Sequence, residues 1–263
     1  MTAIWVLLLG TACGLLQEPA APSVTLEAVP LTLNTPETAT TAVPPTETSA
    51  DTADAATAVP ETAVPEPTPL PPTAEPEPTV VDLGEPIIFT ISQDDSQVRF
   101  ELDEDLAGIR TTVVGSTNQV AGELAVNYKD LSATQAGVIL INARTLATDN
   151  QFRNRAINSQ ILETTTYEFI TFTPTAVNGL PDSVEIGGTV EFTIVGELTI
   201  RDVTTEVTFT VTATAVSATQ ISGTAVATVL RADYGLTIPS VPNVANVEDE
   251  VDLYIDFVAN AAN

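Results

Sequence analysis

The chain is 263 residues long and sets 35 acidic residues against 8 basic ones, with no histidine and one cysteine, for a formal net charge of −27. A surface of that sign repels phosphate backbones, which excludes nucleic acid as a partner. The lack of histidine, together with a lone thiol, excludes an intramolecular disulfide, the usual zinc and copper sites, and catalysis by a cysteine nucleophile or a histidine base. No Gly-x-Ser-x-Gly element offers another nucleophile, so neither an enzyme nor a cofactor is expected.

Composition divides the chain. Of 19 prolines, 15 lie at or before Pro86, and all 8 basic residues lie between Arg99 and Arg231. The part from 87 onward holds 23 acidic and 8 basic residues, a net charge of −15, and is long enough to bury one substantial core. Three segments are expected: a signal at 1–16, a linker at 17–86 and a folded domain at 87–263.

The first segment, MTAIWVLLLGTACGLL, carries an apolar run from Ile4 to Ala12. The run is too short to span a bilayer but has the length of a signal-peptide core. Its end, Gly10-Thr11-Ala12-Cys13-Gly14, resembles a bacterial lipoprotein signal, which implies Cys13 as the lipidated residue. Residues 17–86 are dominated by Pro, Thr, Ala and Glu. Such a segment buries too little apolar surface to offset chain entropy, so a disordered, self-repelling stalk is expected. The expected location is outside the cytoplasm, either held to the cell membrane by that lipid anchor alone or secreted.

From Ile87 the texture changes to successive strands. Val98, Phe100 and Leu102 share one face of Gln97–Asp103, and Leu124 and Val126 lie on Val120–Val126. In Gly137–Thr145, Ile139, Ile141 and Ala143 form one row, with Val138 and Leu140 the other. Tyr167–Thr175 sets Ile170 and Phe172 against Phe169. The clearest signal is TIVGELTIRDVTTEVTFTV, Thr193–Val211. There Ile194, Leu198 and Ile200, then Val207, Phe209 and Val211, alternate with polar residues around Arg201-Asp202. Two alternating arms about a tight turn predict an antiparallel hairpin with one dry face. Ile221–Val229 and Val247–Phe257 continue the pattern. Eight or nine strands with one wet face each must close into a barrel or pair into a sandwich.

One segment breaks the pattern. Around Ala147–Thr164 the residues Leu146, Phe152, Ile157 and Ile161 recur at near-helical spacing, with Arg153 and Arg155 on the other side. A short helix or ordered loop is predicted there, across one end of the sheet structure. The two arginines either meet a ligand's polar head or pair with Asp149 or Glu163. The acidic rows Glu101, Asp103, Asp105 and Glu248, Glu250, Asp252 read as solvated outer faces, not as a metal site.

These residues, in this order, resemble the YceI-like family of extracytoplasmic polyisoprenoid-binding proteins. The match runs from Ser96–Leu102 through Gly122-Glu123-Leu124, the loop Thr145–Ile157, Tyr167–Thr173 and Gly196–Ile200 with Val203-Thr204. It ends with Arg231–Gly235 and Glu250–Leu253. Departures are Asp103 where a His is common, Asn154 and Ala156 where Asp and His are usual, Glu168 for Pro, and Asp202 for Gly. The resemblance implies an all-β fold, a lipocalin-like eight-stranded antiparallel barrel with a short helix or ordered loop at one end. It also implies a long apolar tunnel for an isoprenoid or quinone-like lipid.

On that reading the tunnel wall is Phe100, Leu102, Leu124, Ile139, Ile141, Phe152, Ile157, Phe172, Ile194, Leu198, Val207 and Phe209, with Arg153 and Arg155 as head-group contacts. Small residues on neighbouring strands, Ala213, Ala215, Gly223, Ala225 and Ala227, either leave the bore open or pack against a larger opposite wall. The implied function is non-catalytic carriage or sequestration of the lipid in the cell envelope, as a monomer or a dimer. The alternative from another class is a surface-displayed β-sandwich for adhesion, without a small ligand.

Overall fold

The computed structural model describes residues 21–33 and 83–262. The signal segment with Cys13 and the stretch 34–82 lie outside the described residues. Thirteen strands form a single sheet: β1 (Ile87–Ile91), β2 (Gln97–Leu106), β3 (Ile109–Thr117), β4 (Val120–Ala121), β5 (Glu123–Val126), β6 (Gln135–Ala136), β7 (Ile139–Asn142), β8 (Phe169–Asn178), β9 (Thr189–Ile200), β10 (Val203–Ser217), β11 (Gln220–Leu230), β12 (Val244–Ala245) and β13 (Glu250–Ala261).

Several of these strands are halves of one bent ribbon. β1 and β2 both pair with β13, the first at Phe89–Ala261 and the second at Phe100–Leu253. β4 and β5 flank Gly122, and while β4 pairs with β7, β5 pairs with both β1 and β6. With β3, β4 and β5 taken as one ribbon, β6 and β7 as another, and β12 left as a short side pair on β2, eight antiparallel ribbons each have two hydrogen-bonded neighbours, and the sheet closes on itself. The seam between β4–β5 and β6–β7 is the thinnest, with two paired positions on each side of the bend. A single closed sheet removes the two-sheet sandwich as a reading of this domain.

The hairpin predicted at Thr193–Val211 is the centre of the longest ribbon pair. β9 and β10 stay in register from Ile200–Val203 to Thr189–Thr214. Val207, Phe209, Val211, Ala213 and Ala215 are buried, while Glu206, Thr208, Thr210 and Thr212 are exposed. The two-residue turn closes without glycine because Arg201 takes a left-handed φ of 60°. The guanidinium holds it there through Glu163 (2.9 Å) and Tyr167, whose ring centre is 5.8 Å away.

β1 and β3 were not among the strands that alternation revealed, and in β3 the reason is visible. Its inward row is Val113, Gly115, Thr117, in which glycine and threonine hide the apolar signal. The glycine has a reason: a Cβ on Gly115 would stand 2.3 Å from the ring of Phe100, its cross-strand partner. The same device recurs at Gly196 beneath Phe172 (2.6 Å) and Gly223 beneath Phe257 (2.8 Å). Each ring packs over a missing side chain, so the glycine makes room for it against the neighbouring strand. Part of the space left by the small residues of β10 and β11 is therefore taken by a phenyl group.

Within Ala147–Thr164 the stretch Gln151–Ile161 is helical, the first of the two forms expected there. α1 (Gln151–Ala156) starts at Asn150, whose Oδ1 accepts from the amides of Phe152 (2.9 Å) and Arg153 (3.3 Å). It continues as a wider turn over Ile157–Ile161 that buries Ile157 and Ile161. Asn154 ties this cap to the loop before it, accepting from the Thr148 amide (2.7 Å) and donating to the Thr148 carbonyl (3.2 Å).

Residues 21–33, which composition assigned to the stalk, lie extended against the barrel. The Ser23 amide donates to Glu168 Oε1 (2.8 Å), Gln93 Nε2 donates to the Leu26 carbonyl (2.9 Å), and the Leu31 amide donates to Glu123 Oε2 (2.7 Å). Leu26 is 5% exposed. Among these partners Glu123 belongs to β5, and a Cβ on Gly137 would touch Leu31, so the strap crosses the thin seam.

Candidate functional site

The bore holds two cavities. The inner one, about 110 Å³, is lined by side chains of β1, β5–β11 and β13, among them Leu124, Ile139, Phe172, Ile194 and Phe209. The outer one, about 350 Å³, lies under the helical cap and the 236–247 loop and is lined by Phe100, Leu102, Phe152, Ile157 and Leu253 among others. Only the outer cavity reaches the size usual for a small-ligand site.

Between them is a packed waist. Val98, Val120, Ile141, Leu198, Val207 and Ala227 are all under 9% exposed and line neither cavity. On β9, Leu198 separates Ile194 of the inner cavity from Ile200 of the outer one; on β11, Ala227 stands between Ala225 and Val229. The continuous tunnel implied by the family resemblance is thus two chambers in this structure. Five branched side chains and one alanine, from six ribbons, are buried between the two cavities and line neither.

The residues expected to form the wall accordingly fall into three groups. Phe100, Leu102, Phe152 and Ile157 line the outer cavity; Leu124, Ile139, Phe172, Ile194 and Phe209 line the inner one; Ile141, Leu198 and Val207 are waist. Phe152 is 73% exposed and stands at the rim. Arg153 lines the outer cavity, whereas Arg155 is exposed and lines neither chamber.

Arg153 is already engaged. Nη2 meets Glu104 Oε1 at 2.8 Å and Nη1 meets Asp149 Oδ1 at 2.6 Å. Glu104 is the site residue that sequence reasoning missed: an inward carboxylate only 6% exposed. The signal was present, since Glu104 shares the parity of Val98, Phe100 and Leu102, but a single acid in an apolar row is outvoted by the acidic row of Glu101, Asp103 and Asp105 beside it. Those outward acids do hold a cation: Arg110 bridges Asp103 (3.5 Å), Asp105 (3.6 Å) and Glu248.

The loop after β11 was missed as well. Leu236, Ile238, Pro239, Val241, Pro242, Val244 and Val247 supply one side of the outer cavity. Their irregular spacing matches neither strand nor helix. Arg231 roots this loop, donating from Nη1 to the Leu236 carbonyl (2.8 Å) and from Nε to the Glu248 carbonyl (3.3 Å). Tyr234 is 1% exposed, and burial pushes its phenol above the ordinary value, with Thr205 working against this and Asp233 adding to it. Thr205 is near, yet the hydroxyl completes no hydrogen bond of ordinary geometry.

The family's loop histidine position is Ala156, which lines the outer cavity as a methyl group. Its proline position is Glu168, where the carboxylate holds the strap through Ser23 and takes a hydrogen bond from Asn142 Nδ2 (3.0 Å). Among the described residues no group of His, Cys, Asp and Glu side chains is arranged to hold a metal ion, and no helix is long and apolar enough to cross a membrane.

A closed antiparallel barrel of eight ribbons with an apolar chamber under a helical cap defines a lipocalin-like fold. The chain belongs to the YceI-like domain family, whose model matches residues 89–259. Its fold is similar to that of a polyisoprenoid binding domain from Saccharophagus degradans implicated in plant cell wall breakdown, at 16% identity and a TM-score of 0.53, over 67% of this chain and 99% of that one. It is also similar to BcnA of Burkholderia cenocepacia, at 18% identity and a TM-score of 0.52, over 65% of this chain and 99% of that one. No curated protein matches this chain.

Proposed function

We propose that the protein binds an isoprenoid or similar long apolar lipid in its barrel, without catalysis, and carries or sequesters it in the cell envelope. The observation that carries this reading is the outer cavity: about 350 Å³, walled almost throughout by aliphatic and aromatic side chains, and reaching the surface at Phe152. Each buried CH₂ contributes roughly 0.8 kcal/mol, so a few isoprene units supply ample affinity without a charged anchor. Membership of the YceI-like family and the likeness to a polyisoprenoid binding domain support the ligand class.

In this reading Cys13 carries the lipid anchor and the segment after it sets the barrel off the membrane. The test is direct. Protein purified from a membrane-containing host is extracted with organic solvent and the extract is examined by mass spectrometry; an isoprenoid is expected. A barrel that yields no apolar ligand and also fails to take up added isoprenoids overturns the proposal. Replacing Cys13 by Ser releases the chain from the membrane fraction if the anchor is as proposed.

A further inference from the structure

Three charged side chains line the outer cavity: Glu104, Arg153 and Arg231. Both guanidiniums are committed. Arg153 bridges Glu104 inside and Asp149 outside. Arg231 spends its donors on the Leu236 and Glu248 carbonyls and lies 3.5 Å from Asp249. Two cations therefore face three carboxylates, on a domain whose net charge is already strongly negative.

We infer that the outer cavity takes an isoprenoid whose head is an uncharged oxygen group, a hydroxyl or a quinone carbonyl, and discriminates against a pyrophosphate head, with Glu104 the residue that sets this preference. The inference rests on the isoprenoid reading above and deepens it. A pyrophosphate must draw Arg153 away from Glu104 to gain its charge. That leaves the Glu104 carboxylate buried, unpaired and beside a polyanion, which is the costliest arrangement available to it. An uncharged oxygen asks for none of this. A guanidinium has five N–H donors, and Arg153 can give one to a neutral acceptor while keeping both carboxylates. The Asn150 side chain, also at the cavity wall, uses only its oxygen to cap α1, so its amide NH₂ is not needed by the helix.

The experiment compares geranylgeraniol with geranylgeranyl pyrophosphate, identical in chain and different in head, by competition against a fluorescent fatty probe on the full chain. The alcohol is expected to bind at least about tenfold tighter. Glu104→Gln should raise pyrophosphate affinity and bring the two affinities to within about threefold of each other. Asp149→Asn changes a side chain that is 87% exposed and so leaves the barrel folded; it should move the ratio the same way by less. A wild type that binds the pyrophosphate as tightly as the alcohol, or a ratio that neither variant moves, overturns the inference while leaving the isoprenoid reading intact. Binding of neither compound overturns the isoprenoid reading itself, and this inference with it.

Discussion

Phe172 and Phe209 meet edge to face with ring centroids 4.9 Å apart and planes at 71°. Leu198, the cross-strand partner of Phe172, belongs to the waist, while the two rings line the inner chamber. The waist therefore sets how deep an apolar chain can reach. Leu198 is 2% exposed, and Leu198→Ala should cost about 3 kcal/mol, part of it cavity. The variant should also connect the two chambers and shift the bound lipid toward longer chains. Mass spectrometry of the extracted ligand reads this, and an unchanged chain-length distribution counts against a gating waist.

The buried pair of Glu104 and Arg153 makes a prediction about stability. Removing one partner leaves the other uncompensated, so Arg153→Leu should destabilise the barrel by about 3 kcal/mol. The double variant Glu104→Leu, Arg153→Leu should recover most of that loss, since an apolar replacement of a buried pair is often neutral or better. Urea denaturation of the single variants Arg153→Leu and Glu104→Leu and of the double variant forms the cycle. Additive losses would show that the two side chains do not depend on each other.

At the turn of the central hairpin, Arg201 sets strain against contact. Its left-handed φ costs a non-glycine residue roughly 1–2 kcal/mol, while its part-exposed pair with Glu163 contributes less than about 1 kcal/mol. Arg201→Ala keeps the strain, loses the contacts, and should lower stability by about 1 kcal/mol. Arg201→Gly relieves the strain and should melt at or above the wild-type temperature. A melting temperature for glycine below that of the wild type would show that the cap contacts outweigh the strain.

Alkaline pH should unfold the barrel through Tyr128. Burial pushes this phenol to about 12, and its hydroxyl donates to the Ser217 carbonyl at 3.2 Å. In the unfolded chain the phenol ionises near its ordinary value of 10.0. Tyr128 therefore leaves stability unchanged below pH 10. Above that the unfolded state releases its proton first, and stability falls until the folded phenol ionises too, by on the order of 2 kcal/mol. Tyr128→Phe should flatten this decline in melting curves taken between pH 9 and pH 12.

The strap makes an acid-side prediction. Glu168 is partly desolvated, which favours its neutral form, but hydrogen bonds from Ser23 and Asn142 and the charge of Arg144 outweigh this and lower its pKa. A lowered carboxylate stabilises the fold above its ordinary value of 4.5, and that contribution is lost as pH falls through the folded value. Residues 21–33 should therefore become protease-sensitive in acid before the barrel unfolds. Leu26→Ala should give the same sensitivity at neutral pH, with a loss of about 2 kcal/mol. A strap that resists cleavage in both cases is held by something other than these contacts.

Much of the fold was legible because a strand displays its two faces every second residue. Val207, Phe209 and Val211 against Glu206, Thr208 and Thr210 show which side is dry without any neighbour. The helical cap was legible for the same kind of reason, from Phe152, Ile157 and Ile161 at near-helical spacing. β3 was not, because its inward Gly115 exists for the ring of Phe100 across the ribbon, and one strand read alone carries no trace of that need. The strap was not, because its composition is that of a linker and its partners Gln93, Glu123 and Glu168 are remote in the chain.

By itself the sequence determined the alternation, the central hairpin, the helical cap and the family, since each rests on residues a few positions apart or on an ordered set of short motifs. Only the tertiary structure decided where the eight ribbons close, which inward residues meet at the waist, and that Glu104 neutralises Arg153. Those outcomes depend on register and stagger around a closed sheet, where contacts form between residues separated by tens of positions. Parity along one strand says that a side chain points inward; it does not say at what height in the bore it arrives, or what it finds there.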